Sequence, residues 1–351
     1  MSYVNKRNIS LDIFRCIAIL LVVMVHVSAT CVTRSESILS SEFRCGVLFD
    51  TISRIGVPFF IMISGALLLN EEKSVSLKNI FERIKTFAIL LLIWNIGYSI
   101  LYQIIFPTLL GNTISISQFV EEIIYGHSHL WYLYMMIGLY IITPFLRSFT
   151  KKENKELVGL FILVAFVTQF TIPTLQAMLP NIACLGLVDR FINMFELKFF
   201  FGYTTYYLLG WYIINIGFEN KLRRCILYIL GIVSLGINIT YIFKTGDYNT
   251  GFSNLSIFTL LYAVAAFTCI TRMDFRNLRR RTVRFITKLS NLSFGIYVIH
   301  PAILKIISGF FDYGGEPVTY ILLRFIITFV TSFVICWVVS KIPYIKKLIH
   351  C

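Results

Sequence analysis

The chain has 351 residues, of which 57% are hydrophobic and only 14% charged, with a mean hydropathy of +0.77. This composition leaves too little polar surface for a water-soluble fold and puts the chain in a lipid bilayer. The formal net charge of +14 does not call for a nucleic-acid partner, because the basic residues are dispersed over loops and a tail rather than gathered in one patch.

Apolar runs of about 20 residues, enough for a helix to cross roughly 30 Å of hydrocarbon, are expected in chain order at about 9–29, 47–69, 80–106, 129–149, 157–177, 199–217, 224–243, 252–271, 291–311 and 319–341. Runs such as IAILLVVMV do not alternate, which excludes a membrane barrel of strands about ten residues long. The expected fold is an all-α integral membrane bundle of about ten transmembrane helices, forming a single domain over residues 1–351. The first run is too long for a cleaved signal peptide and lacks a small-x-small site, so it is expected to stay as a spanning helix. No stretch of 80 or more residues lies outside the runs, so no appended soluble domain is expected.

Lys6 and Arg7 precede the first run, and Lys73, Lys78, Arg83 and Lys85 follow the second. Arg147, Lys151, Lys152 and Lys155 follow the fourth, while Lys221, Arg223 and Arg224 follow or open the loop after the sixth. Arg272, Arg276, Arg279, Arg280, Arg281, Arg284 and Lys288 come after the eighth, and Lys341, Lys346 and Lys347 lie in the tail; together these are 23 of the 32 Lys and Arg. The positive-inside rule then expects both termini and every even-numbered loop in the cytoplasm, with 107–128, which has no Lys or Arg, facing outward. The 272–288 run reads as a topology anchor touching anionic membrane lipid, or as a cytoplasmic anion site. The eight cysteines show no metal-ligand spacing; Cys31 and Cys45 share the first outer loop and are expected to pair if that compartment is oxidising.

The first run, LDIFRCIAILLVVMVHVSA, contains Asp12, Arg15 and His26. An ionisable group within a spanning helix costs a few kcal/mol unless a partner or a function holds it there, about 2.5–3.5 kcal/mol on insertion scales. Arg15 and His26 are eleven residues apart, about three turns plus 20° and roughly 16 Å, so they share one face. Asp12 lies three residues before Arg15, close enough to pair with it. A neutral imidazole accepts a proton near neutral pH, which suits His26 to act on a hydroxyl. Taken singly, snorkelling by Arg15 and a structural hydrogen bond from His26 explain each residue without function.

In the second run, SRIGVPFFIMISGALLL, Arg54 and Pro58 fall in the outer part, and Ser64 and Gly65 mark a place where helices can approach closely. Arg54 either orients a substrate or snorkels to the headgroups. GHSHLWYLYMMIGLYIITPFLR opens the fourth run with His127 and His129, which as i, i+2 neighbours share no helix face; no metal site is expected there. Trp131, Tyr132 and Tyr134 read as interfacial anchors or as an aromatic lining for a sugar ring. In LSFGIYVIHPAIL of the ninth run, Tyr297 and His300 stand at i, i+3 ahead of Pro301.

These residues carry a resemblance to the acyltransferase-three family of integral membrane acyltransferases, which includes bacterial enzymes that O-acetylate surface polysaccharides. Leu11, Asp12, Arg15, Ala18 and His26 match its LD-x-x-R-x-x-A start and Arg-x10-His pattern. GVPFFIMISGALLL resembles its second-helix motif, HLWYL followed by IGLY its fourth-helix opening, and SFGIYVIHP its late-helix motif. FERIKTF departs from the paired arginines and proline that the family often shows, offering Arg83 and Lys85 without the proline. The resemblance implies an O-acetyltransferase in the cell inner (plasma) membrane, with acetyl-CoA as cytoplasmic donor and no metal. The acceptor it implies is a hydroxyl of a cell-envelope glycan or lipid-linked saccharide on the outer side. His26 is then expected to act as general base or transient acyl carrier, with Arg15, held by Asp12, meeting the donor. Arg83, Lys85 and Arg147 are expected at the nucleotide phosphates, and Arg54, His129, Trp131, Tyr297 and His300 at the acceptor. A multi-helix transporter or flippase using the same polar stripe, without acyl chemistry, fits the buried charges equally well.

Overall fold

A computed structural model describes residues 9–72, 75–105, 116–196, 201–275, 277–310 and 315–349. Among these the chain is a helical bundle with no strand. In chain order we label α1 Ile9–Arg34, α2 Ser41–Ser53, α3 Gly56–Leu68, α4 Leu77–Ile100, α5 Ile116–Tyr125, α6 Trp131–Phe149, α7 Lys155–Ala165, α8 Ile172–Met178, α9 Ala183–Asn193, α10 Gly202–Asn215, α11 Lys221–Thr245, α12 Ile257–Thr271, α13 Arg280–Phe310 and α14 Pro317–Val339. Lys6, Arg7, Lys73 and Arg276, counted in the charge pattern, lie outside the described residues.

Among the described residues eight helices, some built from consecutive segments, are long and apolar enough to cross a membrane; this is a multi-pass membrane protein. The sixth and eighth expected spans are helices of 14 and 15 residues, α10 and α12, about 21 and 22 Å long and short of a full crossing. The second expected span is two helices joined at Arg54 and Ile55. Pro58 lacks the N–H that would close on the Arg54 carbonyl, so the helix ends and restarts, with proline tolerated in the new first turn. The ninth is longer than the apolar run suggests: α13 begins at Arg280, so much of the expected basic loop is its first turns.

Side-chain caps set several starts. Ser40, Ser76 and Ser256 accept from the backbone N–H three residues on, and Asn220 accepts from Leu222 and Arg223. Gly246, at φ 73°, ends α11 in the left-handed conformation that glycine adopts without penalty. α1 is the hub, packing against α2, α3, α12, α13 and α14. Phe14, Phe59 and Phe267 knit α1, α3 and α12 together, with Phe14 stacked on Phe267 at 4.2 Å. α3 and α10 cross with backbones in contact: a Cβ on Gly65 would land in the Tyr207 carbonyl, and one on Gly210 in that of Met62. Small residues at such a crossing let van der Waals packing act where lipid supplies no hydrophobic drive. Large apolar side chains such as Leu92, Ile229, Ile232 and Ile326 point outward, as a lipid-facing surface requires.

The expected Cys31–Cys45 pair is not formed; both are free. Where α1 and α2 meet it is Gly46, not Cys45, that faces Cys31: a Cβ on Gly46 would lie 3.1 Å from the Cys31 Cβ.

Candidate functional site

Asp12 is 1% exposed and is held from two sides. Its carboxylate accepts from the Ser290 hydroxyl at 2.7 Å and faces the Arg15 guanidinium at 3.6 Å. A buried carboxylate is tolerated only when charge and hydrogen bonds compensate it, and here they come from its own helix and from α13. Arg15, one-third exposed, projects into a cavity of 330 Å³ between α1, α3, α4, α6 and α13. Arg83 enters from α4, and the walls are Val22, Phe60, Phe87, Tyr132, Tyr140, Phe294 and Tyr297, with Ser64, Ser290 and Ser293 as polar points. No acidic side chain lines this cavity among the described residues. Two guanidiniums without a lining carboxylate make it a place for an anion or a polarised oxygen, and the aromatic walls suit an apolar chain.

Two of the lining residues, Tyr132 and Tyr297, have rings that meet edge to face at 5.4 Å. The Tyr297 hydroxyl donates to the His129 carbonyl and so ties α13 to the start of α6. Val22 also lines the cavity, and His26 stands one turn beyond Val22 on α1. Arg15 therefore faces the cavity, while the half-buried His26 lies outside its lining.

Outside this lining the histidines gather. The His26 and His300 rings are 4.9 Å apart, and His129 lies within electrostatic reach of both. His300 is wholly buried, and its Nδ1 is 3.0 Å from the Ile296 carbonyl. A carbonyl only accepts, so Nδ1 carries the proton and Nε2 is left as an acceptor. That Nε2, like the Nε2 of His129, has no hydrogen-bond partner among the described residues. Pro301 helps to shape this place, since it cannot donate to the Tyr297 carbonyl one turn back.

His129 packs on the edge of Tyr98 at 4.3 Å, and the Tyr98 hydroxyl donates to the Val298 carbonyl at 2.6 Å. His127, next to Tyr98 and Tyr102, has Ser99 and Glu122 each 3.4 Å from Nε2. Four of the chain's five histidines thus lie in this one region.

Arg54 borders the cluster and acts electrostatically on His26. It is paired with the fully buried Asp50, which also accepts from Ser28 at 3.4 Å, and it lies 4.4 Å over the Phe252 ring. Asp50 had a signal in the sequence, a carboxylate four residues ahead of an arginine in an apolar run. Arg324 had one too, as a lone charge within α14. It is 1% exposed and is surrounded by the hydroxyls of Thr30, Tyr320 and Ser308.

Three expected site residues lie elsewhere. Lys85 is exposed and lines none of the cavities described. Arg147 donates to the carbonyls of Leu68 and Asn70, holding the end of α3 to α6. Trp131 packs on Tyr203 at 5.3 Å and on Tyr132 at 6.5 Å, behind the cavity wall.

Residues 8–341 match a family described as an acyltransferase domain. The chain is 24% identical over 310 residues to the "Probable poly-beta-1,6-N-acetyl-D-glucosamine export protein" of Staphylococcus aureus (strain MRSA252), covering 86% of this chain and 83% of that protein. The protein of the same name from Staphylococcus epidermidis is 23% identical over 304 residues, 86% of this chain and 82% of that one. An amino-acid racemase of Enterococcus faecalis is 31% identical over 174 residues, 47% of this chain but 22% of that protein. No solved structure matches.

Proposed function

The chain belongs to the acyltransferase-domain family matched over residues 8–341, and we propose that it moves an acetyl or similar acyl group from cytoplasmic acyl-CoA to a hydroxyl of a cell-envelope glycan. The acceptor, free or lipid-linked, lies on the outer side of the plasma membrane. The observation that carries this reading is the Arg15–Arg83 cavity, whose lining includes Val22, one helical turn from His26 and the histidine cluster.

Arg15, oriented by Asp12, binds a carbonyl or phosphate oxygen of the donor through its planar guanidinium. Arg83 adds a second positive charge at the entrance. The walls from Phe60 to Tyr297 take the apolar arm of the donor, and the acyl group reaches past the Tyr132–Tyr297 pair to His26. His26 takes the proton of the acceptor hydroxyl as its oxygen bonds to the acyl carbon. The carbon–sulfur bond breaks, and the proton is returned to the leaving thiolate. His300 and Arg54 border His26 and position the acceptor. Lys85 and Arg147 have no part in donor binding in this reading, which rests instead on Arg15 and Arg83.

The printed name of the staphylococcal relatives, an export protein, favours a second reading in which the chain moves a glycan without acyl chemistry. The two differ in donor dependence. Purified protein should bind acetyl-CoA and hydrolyse it slowly, and mass spectrometry should show envelope polysaccharide losing acyl groups when the gene is deleted. Unchanged acylation in the deletion strain, with no binding of acetyl-CoA, refutes the transferase reading.

A further inference from the structure

Two further cavities adjoin the first at the basic end of the bundle. One, of 650 Å³, shares Asn291 with the Arg15 cavity and is lined by Thr86, Lys288, Ser340, Lys346 and Lys347. The other, of 430 Å³, shares Arg83 and Phe87 with the Arg15 cavity, and Thr86 with the lysine-lined one. The three cavities thus adjoin one another at these residues; among the described residues no acidic side chain lines the lysine-bearing one, while Glu82 lines the 430 Å³ one.

The tail lysines are held in place. Ile345–Leu348 forms one 3-10 turn, and the Trp94 indole N–H donates to the Leu348 carbonyl at 3.1 Å. Ile349 is 2% exposed and sits on Gly295, where a Cβ would come within 2.8 Å of the Ile349 Cβ. The tail is therefore docked on α4 and α13, with the exposed side chains of Lys346 and Lys347 standing at the mouth. Lys288 lies 4.3 Å over the Trp337 ring, which helps to order it.

We propose that Lys288, Lys346 and Lys347 form a phosphate-binding subsite that receives the nucleotide phosphates of the acyl donor while its thioester arm enters the Arg15–Arg83 cavity. This rests on the acyl-CoA reading above and adds a subsite to it. Coenzyme A presents a diphosphate and a 3′-phosphate, and three ammonium groups supply matching point charges with charge-assisted hydrogen bonds. Anionic lipid headgroups carry the same phosphate chemistry. The donor is favoured because the lysine cavity adjoins the Arg15 cavity at Asn291, which lines both, and because polar Thr86, Asn291 and Ser340 share its walls.

The test uses the full chain in nanodiscs of phosphatidylcholine, titrated with coenzyme A and with dephospho-coenzyme A by calorimetry. K346Q/K347Q is the variant of choice, since it leaves the Trp94–Leu348 backbone bond and the buried Ile349 in place; an unchanged melting temperature checks the fold. Coenzyme A should bind about tenfold more weakly to the variant, with a shallower dependence on salt, and the difference should shrink for dephospho-coenzyme A. Equal coenzyme A affinity in wild type and variant overturns the subsite and leaves the donor reading standing. Absence of coenzyme A binding to the wild type overturns both. Native mass spectrometry from discs containing phosphatidylglycerol separates the lipid source: loss of retained lipid in the variant, with coenzyme A affinity unchanged, assigns the lysines to a headgroup and overturns the proposal.

Discussion

Replacing Asp12 by Asn keeps the shape of a 1%-exposed side chain and deletes its charge. The amide oxygen still accepts from the Ser290 hydroxyl, so the loss falls on Arg15, now 3.6 Å from a group without countercharge. The contact is an ion pair too long for a hydrogen bond, and pairs open to solvent contribute about 0.2–1 kcal/mol. Asp12 is buried while Arg15 is one-third exposed toward the cavity, which selects the upper end, about 1 kcal/mol. If Asp12 serves to orient Arg15 on the donor, kcat/KM falls about fivefold, since 1.36 kcal/mol is a factor of ten. Ser290→Ala removes a neutral donor to the same carboxylate, costing about 1 kcal/mol of stability, and leaves Arg15 in place with kcat/KM within about threefold. Because both variants act through one carboxylate, the double variant should lose less than the sum. The assay is transfer of labelled acetyl from acetyl-CoA to isolated envelope polysaccharide at varied donor concentration. Wild-type kcat/KM in Asp12→Asn, or a larger loss in Ser290→Ala, would refute the orienting role.

His26→Ala should lower transfer by about 10²–10⁴-fold without changing melting or membrane retention, and wild-type acylation in that variant removes His26 from the mechanism. Gly65→Ala drives a Cβ into the Tyr207 carbonyl and should cost about 1–3 kcal/mol by overpacking, read as a lower melting temperature in detergent; unaltered melting would mean that α3 and α10 do not cross so closely. Arg147→Gln weakens the bonds to the Leu68 and Asn70 carbonyls and should destabilise the protein by about 1–3 kcal/mol, with coenzyme A affinity held within twofold. A large affinity loss at normal stability would instead return Arg147 to the donor site.

The bundle was legible because lipid imposes a length, and runs such as Leu11–Ala29 meet it. Of the pair spaced eleven residues apart, Arg15 lines the cavity and His26 stands one turn past Val22, outside the lining. The contact of Tyr132 with Tyr297 in the cavity wall was not legible, because they come from α6 and α13 and only tertiary packing brings them together. The same holds for the histidines, where His129 and His300 are carried to His26 from distant helices. Arg147 and Lys85 show the limit of charge reading, since a positive residue near a loop is equally suited to hold carbonyls or to face solvent. The docked tail gave almost no signal, because one isoleucine and an indole on another helix decide it.

The hub position of α1 bears on how the chain is made. Asp12 meets Ser290 across 278 residues, and Thr30 meets Arg324 across 294. During synthesis α1 therefore waits for α13 and α14 before Asp12 and Thr30 meet these partners. A nascent chain stalled before Ser290 would present that carboxylate to lipid or to the insertion machinery without its hydroxyl partner, which makes truncated forms natural targets for membrane quality control.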